Sequence, residues 1–417
     1  MALQQEPKKG PLHGVTVLDF SRVLAGPYCT MLLADLGARV IKIEKIGTGD
    51  DTRAFGPFID GESAYFSCFN RGKESIVLDI KSPRDRDLLE KLLDKSDVLV
   101  ENFRPGVMER LGYGAARLSQ SHPHLIYTSI SGFGHSGPYS DLPGYDMVVQ
   151  AMGGIMSLTG WPDGRPSRVG TSFGDLGAAL FATVGILSAL YRRTQDAQGR
   201  RVDIGMLDCQ AALMETALAR CDVEKKVPNR TGDSHPSLAP FETFECLDGR
   251  MVIAAGNDTL FLLMADALSV PRLAADPRFL TNDLRCQNRP EMVASIEAVT
   301  KTAPVEHWLG KLNEAGVPCA PINTIDKLFD HPQLLARNMI VKVKSGAGKT
   351  FRTAGNPIKM PGHVDFTPDE ALSAPSLNQH KSAILNELLP ETPKRPDRAR
   401  GKILPFKDFN TIGEATS

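Results

Sequence analysis

VTVLDF at Val15–Phe20 and RVIKIE at Arg39–Glu44 flank PYCTMLLADLG at Pro27–Gly37, and these three stretches decide the fold. The outer two are short apolar runs rich in β-branched residues, which read as buried strands. The middle one has proline in its first turn and glycine at its end, the asymmetry of a helix start and stop. Together they make a βαβ unit. Further along, Ser75–Asp79 reads as a strand, Pro83–Lys95 as an amphipathic helix, and Val98–Asn102 and Leu125–Ser131 as strands. Such alternation predicts an α/β fold whose large domain is a doubly wound parallel sheet.

At 417 residues the chain exceeds one ordinary core. Its character changes after about Thr194, where a strand at Arg201–Ile204 and a helix through Ala219 lead into the polar stretch Lys225–Ser237. The expected organisation is a large α/β domain over 11–200, completed by 330–390, a smaller α+β domain over 225–330, and a basic, Pro-rich tail over 390–417. The smaller domain should contain a hairpin, Glu242–Ala255, turning at Asp248-Gly249, and helices Asp258–Leu268, Arg289–Thr300 and Pro304–Ala315. The apolar run Gly177–Leu190, about fourteen residues, falls short of the roughly 20 that span a bilayer and reads as a buried helix.

Lys plus Arg number 48 against 49 Asp plus Glu, so no bulk charge calls for nucleic acid or an anionic membrane as partner. The seven cysteines are scattered and form neither a disulfide framework nor a Cys-x-x-Cys pair, which fits a reducing compartment. Met1–Gly10 lacks the apolar core of a secretory signal, and its glutamate and lack of arginine argue against a transit peptide. The cytoplasm is therefore expected, with the mitochondrial matrix as the alternative. His122 and His124, two apart in Ser-His-Pro-His, predict a solvated turn, and no metal site is expected.

The loop Ser21–Pro27 precedes a helix N-terminus whose free N–H groups could receive a phosphate. A dinucleotide fingerprint would need three glycines here, and only Gly26 is present, although Glu44 supplies the acid that should end the second strand. On the loop alone, a plain turn without ligand stays open.

Leu18-Asp19-Phe20, Leu24-Ala25-Gly26-Pro27, Val40–Glu44, Gly49-Asp50 with Arg53, Val100-Glu101-Asn102-Phe103, and Gly132-Phe133-Gly134 with Gly137-Pro138 follow one another in the chain. In this order they resemble the motifs of the class III coenzyme A transferases, the formyl-CoA transferase and carnitine CoA-transferase family. The resemblance runs from about Pro11 to Leu389, and within the family the likeness is strongest to the succinate–hydroxymethylglutarate group, through Gly49–Arg53, Ser234–Phe244, Gly316-Val317-Pro318 and Pro321-Ile322-Asn323.

The resemblance implies a nucleophilic aspartate, which falls on Asp175 in Gly174-Asp175-Leu176-Gly177 after a glycine-containing strand end. Read bare, an aspartate at a helix start is more often an N-cap. As a nucleophile it would be kept ionised at neutral pH by the helix dipole. The resemblance also assigns CoA contacts to Leu24, Ala25, Lys45, Leu78, Asp79, Ile80, Lys81, Asn102, Phe103, Arg104 and Arg110, and backbone contacts to Ser131, Gly132, Phe133 and Gly134. Without it, Lys81, Arg104 and Arg110 read as solvated charges.

The implied partners are acyl-CoA and a carboxylic acid, with CoA as substrate, no metal, and an interlocked homodimer. Racemases of the family carry Gly-His-Asp where this chain has Gly144-Tyr145-Asp146, so a two-base proton shuttle lacks a partner. A glycine-rich loop that closes over formyl and oxalyl groups also has no counterpart before Phe241, which favours a larger acyl group. The expected activity is transfer of CoA, with succinyl-CoA as donor, to an acid of the glutarate, hydroxymethylglutarate or itaconate type. Arg53, Arg168 and His235 are candidates for holding its distal carboxylate. A 2-methylacyl-CoA racemase and a non-catalytic CoA-binding protein are the alternatives.

Overall fold

The computed structural model describes residues 10–346, 348–360 and 371–388, so the basic tail expected over 390–417 lies outside the described residues. Six strands form the main sheet: β1 (Thr16–Asp19), β2 (Arg39–Glu44), β3 (Glu74–Val77), β4 (Val98–Glu101), β5 (Ile126–Ser131) and β6 (Arg201–Gly205). They pair in parallel in the order β3-β2-β1-β4-β5-β6, as a doubly wound sheet requires. The order reverses between β1 and β4. A ligand crevice belongs there, outside the carboxyl ends of the strands.

Four helices matter for the site: α1 (Ala25–Asp35), α2 (Pro83–Asp94), α3 (Asp146–Met152) and α4 (Phe173–Asp196). Val17, Val40, Val100 and Ile130 pack on one face of the sheet against Cys29 and Leu33 of α1 and Ala178, Ala182 and Ile186 of α4. Leu18, Ile41, Ile76 and Leu99 pack on the other against Leu89 and Leu93 of α2 and Ile384 of a helix at Lys381–Leu388. Burial on both faces explains why the strands read as continuous apolar runs.

At 24 residues α4 outruns the expected apolar stretch, and by length and composition alone it meets the requirement for a membrane span. The structure packs half of its most apolar window against the sheet and α1. Its outer side leaves Leu180, Val184 and Tyr191 at 51%, 60% and 68% exposure.

A third apolar cluster draws its buried residues only from Ala239 to Val317, among them Phe244, Phe261, Met292 and Trp308. The expected hairpin forms as β7 (Phe241–Glu245) and β8 (Arg250–Ala254), closed by Cys246 N–H donating to Gly249 O at 2.7 Å, and β9 (Cys319–Pro321) adds to β8. The helices Asp258–Ala267, Arg289–Thr300 and Val305–Glu314 fall where expected. The helix expected through Ala219 instead divides into Met206–Ala212 and Ala217–Glu224, because Glu215 adopts a left-handed φ of 53°. His122 is buried rather than solvated, its Nε2 lying 3.2 Å from Asp94 Oδ1. Among the described residues no cluster of metal-ligating side chains occurs.

Candidate active site

The segments leaving β1, β4 and β5 converge on a cavity of about 140 Å³, lined by Arg22–Ala25, Asn102–Pro105, Ser131, Gly132, Tyr145 and Asp175. A neighbouring cavity of about 100 Å³ is lined by Phe20, Ile43, Lys45 and Asp50, and shares Arg22 and Phe103 with the first.

Buried charges shape the first loop. Asp19, at the end of β1, accepts from Ser21 N–H at 2.9 Å, Thr30 Oγ1 at 2.7 Å and Lys73 Nζ at 2.9 Å. Burial alone would raise its carboxyl, but Lys42 and Lys73 outweigh that and hold it well below the usual carboxylate range. Burial pushes Lys73 down to about 8. Lys42 donates to Ser21 O at 2.8 Å and pairs with Asp50 at 2.9 Å. Asp50 in turn accepts from Val23 N–H at 3.2 Å, and Val23 is held at φ 68°, a strained value for a β-branched residue. The amides opening α1 receive no side-chain cap, so they remain available to an anion.

Asn102 locks this loop to the one after β4. Its Oδ1 accepts from Arg22 N–H at 2.8 Å and its Nδ2 donates to Arg22 O at 2.7 Å. Asp51 bridges Arg22 at 2.7 Å and Lys45 at 2.8 Å on the rim of the two cavities. Behind the cavity, Gly132 meets Gly144 backbone to backbone, and a Cβ on Gly132 would lie 2.7 Å from Gly144 Cα.

Asp175 is the third residue of α4 and it is not the cap. Ser172 holds the N-cap position without a side-chain bond, and Asp146 of α3 does the capping from outside, its Oδ1 accepting from Gly174 N–H at 2.9 Å and Asp175 N–H at 3.4 Å. Gln150, one turn along α3, holds the other oxygen of Asp146 at 2.8 Å. With the helix end satisfied from outside, the Asp175 side chain is left to face the cavity. The segment before α4 is irregular rather than a strand. Burial, and then the nearby Asp146, push the Asp175 carboxyl up to about 7. This corrects the expectation that the helix dipole keeps it ionised, since desolvation and a like charge outweigh that dipole. Tyr65 is pushed up to about 12 by burial and next by Asp175, so its phenol stays protonated in the field of the same carboxyl.

Of the residues expected to act, Leu24, Ala25, Asn102, Phe103, Arg104, Ser131, Gly132 and Asp175 meet around the larger cavity, and Lys45 lines the smaller one. Leu78 is core, Asp79 accepts from Lys81 N–H at 3.0 Å in a tight turn beside Ile80, and neither Lys81 nor Arg110 lines either of these two cavities. Phe133 packs edge-on to Tyr139, and Gly134 turns the chain at φ 79°.

Arg53 does not reach the cavity. It clamps Glu44 with two bonds of 2.7 Å and stacks 3.7 Å above Phe66. The same clamp occupies the acid that a dinucleotide would have needed. Arg168 turns back to the carbonyls of Val169 and Gly170, and His235 packs on Phe241 while its Nδ1 accepts from Ser237 N–H at 3.1 Å. Arg22, Asp51 and Asp146 were missed as site residues. Arg22 and Asp51 lay in the loop Ser21–Pro27 and the motif Gly49–Arg53, and Asp146 stood beside Tyr145, but nothing local marked the part any of them plays.

A family model described as CoA-transferase family III matches residues 12–381. The chain is 45% identical over 380 residues to the acetyl-CoA:oxalate CoA-transferase of Acetobacter aceti, covering 91% of this chain and 96% of that one. It is 38% identical over 380 residues to the succinyl-CoA:glutarate CoA-transferase of Mus musculus, covering 91% and 86%. Among solved structures, a CAIB/BAIF family protein from Brucella suis superposes with a TM-score of 0.80 at 38% identity, covering 91% of this chain and all of that one.

Proposed function

This chain belongs to CoA-transferase family III, and from that premise we propose that it moves CoA from an acyl-CoA donor, succinyl-CoA foremost, to a dicarboxylic acid of the glutarate, hydroxymethylglutarate or itaconate type. The observation that carries the reading is the carboxyl of Asp175 facing the switch-point cavity between the two nucleotide-side loops. The oxalate and glutarate transferases among its relatives support a diacid as acceptor.

In the proposed placement the adenosine enters the smaller cavity between Phe20, Ile43 and Phe103. The phosphates meet Lys45, Arg22 and the uncapped start of α1, displacing Asp51. The pantetheine then runs through the larger cavity to Asp175. Asp175 attacks the donor thioester, giving a mixed anhydride and CoA thiolate, and the thiolate attacks the aspartyl carbonyl, giving an aspartyl-CoA thioester and free donor acid. The acceptor carboxylate attacks that thioester, and the released thiolate opens the second anhydride at the acceptor carbonyl, regenerating Asp175. Every step exchanges one carboxyl derivative for another, so the protein's work is positioning and oxyanion stabilisation.

We also propose that residues 225–330 form a smaller lobe and that two copies pair, covering the exposed Leu180, Val184 and Tyr191. Such a pairing would give Arg168 and His235 a cavity to serve on the other copy. Seven unpaired cysteines favour the cytoplasm or the mitochondrial matrix. A racemase reading gains no observation, since Tyr145 stands where its histidine would be.

Incubating the protein with succinyl-CoA and a panel of carboxylic acids, with mass spectrometry of the acyl-CoA products, tests the reading. New acyl-CoA from diacids is expected, with D175N inactive yet still binding CoA. Transfer undiminished in D175N refutes the assignment.

A further inference from the structure

Glu101, the last residue of β4, is 1% exposed and turns its carboxyl toward Tyr127 on β5. Its Oε2 accepts from Phe103 N–H at 2.8 Å, and its Oε1 accepts from Tyr127 OH at 3.3 Å and lies 3.9 Å from His135 Nε2. The β4–β5 register sets Ser129 beside Glu101, and Ser129 Oγ, Ser131 Oγ and His135 Nε2 are buried without a hydrogen-bond partner among the described residues. A carboxyl placed here is costly, and a plain core would carry an apolar residue. What it holds is the segment that follows: the bond to Phe103 N–H ties down the chain directly after the strand, where Asn102 meets Arg22 and Phe103 lines both cavities.

From this geometry we infer that Glu101 is a positioning residue, holding the Asn102–Phe103–Arg104 segment in the shape that receives CoA. The inference rests on the reading of these cavities as a CoA site. Burial pushes the Glu101 carboxyl up to about 7, so its neutral form is well populated near neutral pH. Glutamine resembles that form and keeps an acceptor for Phe103 N–H, whereas leucine keeps the bulk and leaves the amide unpaired.

The test is calorimetric titration of CoA into the full chain, with steady-state kinetics, for wild type, E101Q, E101L and Y127F. E101L should weaken CoA binding and raise KM for acyl-CoA about tenfold, the effect of one unpaired buried donor, with kcat within about twofold. E101Q should stay within about threefold of wild type. CoA binding by E101L equal to wild type, E101Q damaged as much as E101L, or a loss confined to kcat overturns the inference. Should E101L not fold, Y127F carries the decision: a smaller rise in KM supports the inference, and no change overturns it. Wild type that binds no CoA removes the transferase reading itself and this inference with it, an outcome distinct from all the others.

Discussion

Replacing Asp146 with asparagine should shift the acid limb of the kcat/KM profile downward by about one pH unit. Asp175 stands at about 7 against an ordinary 3.8, and burial is the larger cause, Asp146 the second. Asp146 therefore supplies the smaller part of the rise, taken as an effect of about tenfold on the ionisation of Asp175, or about 1.4 kcal/mol. The amide retains an oxygen for the N–H groups of Gly174 and Asp175, so the helix end stays capped. Only the ionised carboxyl attacks, so activity falls as pH falls through its pKa. Wild type should lose activity below about pH 7 and D146N below about pH 6, making D146N roughly fivefold faster at pH 6 and equal at pH 8. Stability carries the matching sign: the folded pKa of Asp175 lies above its unfolded value, so its ionisation costs stability as pH rises from about 4 to 7, and D146N should lessen that cost at pH 8. Steady-state rates from pH 5 to 9 with a saturating second substrate make the measurement. Coincident acid limbs, or a limb that moves upward in D146N, refute the coupling of the two carboxyls.

R53A should act on stability. Glu44 is almost wholly buried against Arg53, and removing the cation should cost about 3 kcal/mol in urea unfolding at pH 7. Arg53 outweighs the effect of burial and holds Glu44 below its ordinary range, so this loss should shrink as pH falls below about 4. Unchanged stability with a raised KM for the acceptor acid would restore Arg53 to substrate binding. If the proposed pairing covers the exposed stripe of α4, wild type should sediment as a dimer and glutamates at both Leu180 and Val184 should reduce it to a monomer, because covering the stripe would then bury charge. A dimer that persists puts the interface elsewhere.

The sheet was legible because β1 to β5 are buried on both faces and so stand out as apolar runs bounded by helix signals. The charges inside those runs, Asp19 and Lys42, were passed over, and their pairing with Lys73 and Asp50 depends on segments brought together only by the parallel crossover. Asp146 stayed hidden for the same reason. It lies far from α4 in sequence, and nothing local marks a cap that acts at such a distance. Arg53 misled because its motif borders the site while the short 3₁₀ turn Asp51–Ala54 aims its side chain back at β2. The length of α4 was underestimated because its ends, Phe173–Leu176 and Tyr191–Asp196, mix polar with apolar residues, and helix geometry continues past the end of an apolar run.

The raised basicity of Asp175 bears unequally on the two halves of the proposed exchange. In the first anhydride the aspartyl and donor carbonyls compete for the thiolate, and the better leaving group is the less basic carboxylate. Ordinary carboxylic acids ionise near 4 to 5, below the value of about 7 to which burial and Asp146 bring Asp175. Opening at the aspartyl carbonyl, which expels the donor acid, is thus favoured. In the second anhydride the same preference works against the product, because the thiolate must now expel Asp175 from the acceptor carbonyl. Basicity cannot select both outcomes, so in the second half the choice must come from where the thiolate is held. That places the demand on the loops around Arg22 and Phe103, which would fix the nucleotide end of CoA while its sulfur moves between two carbonyls at the start of α4.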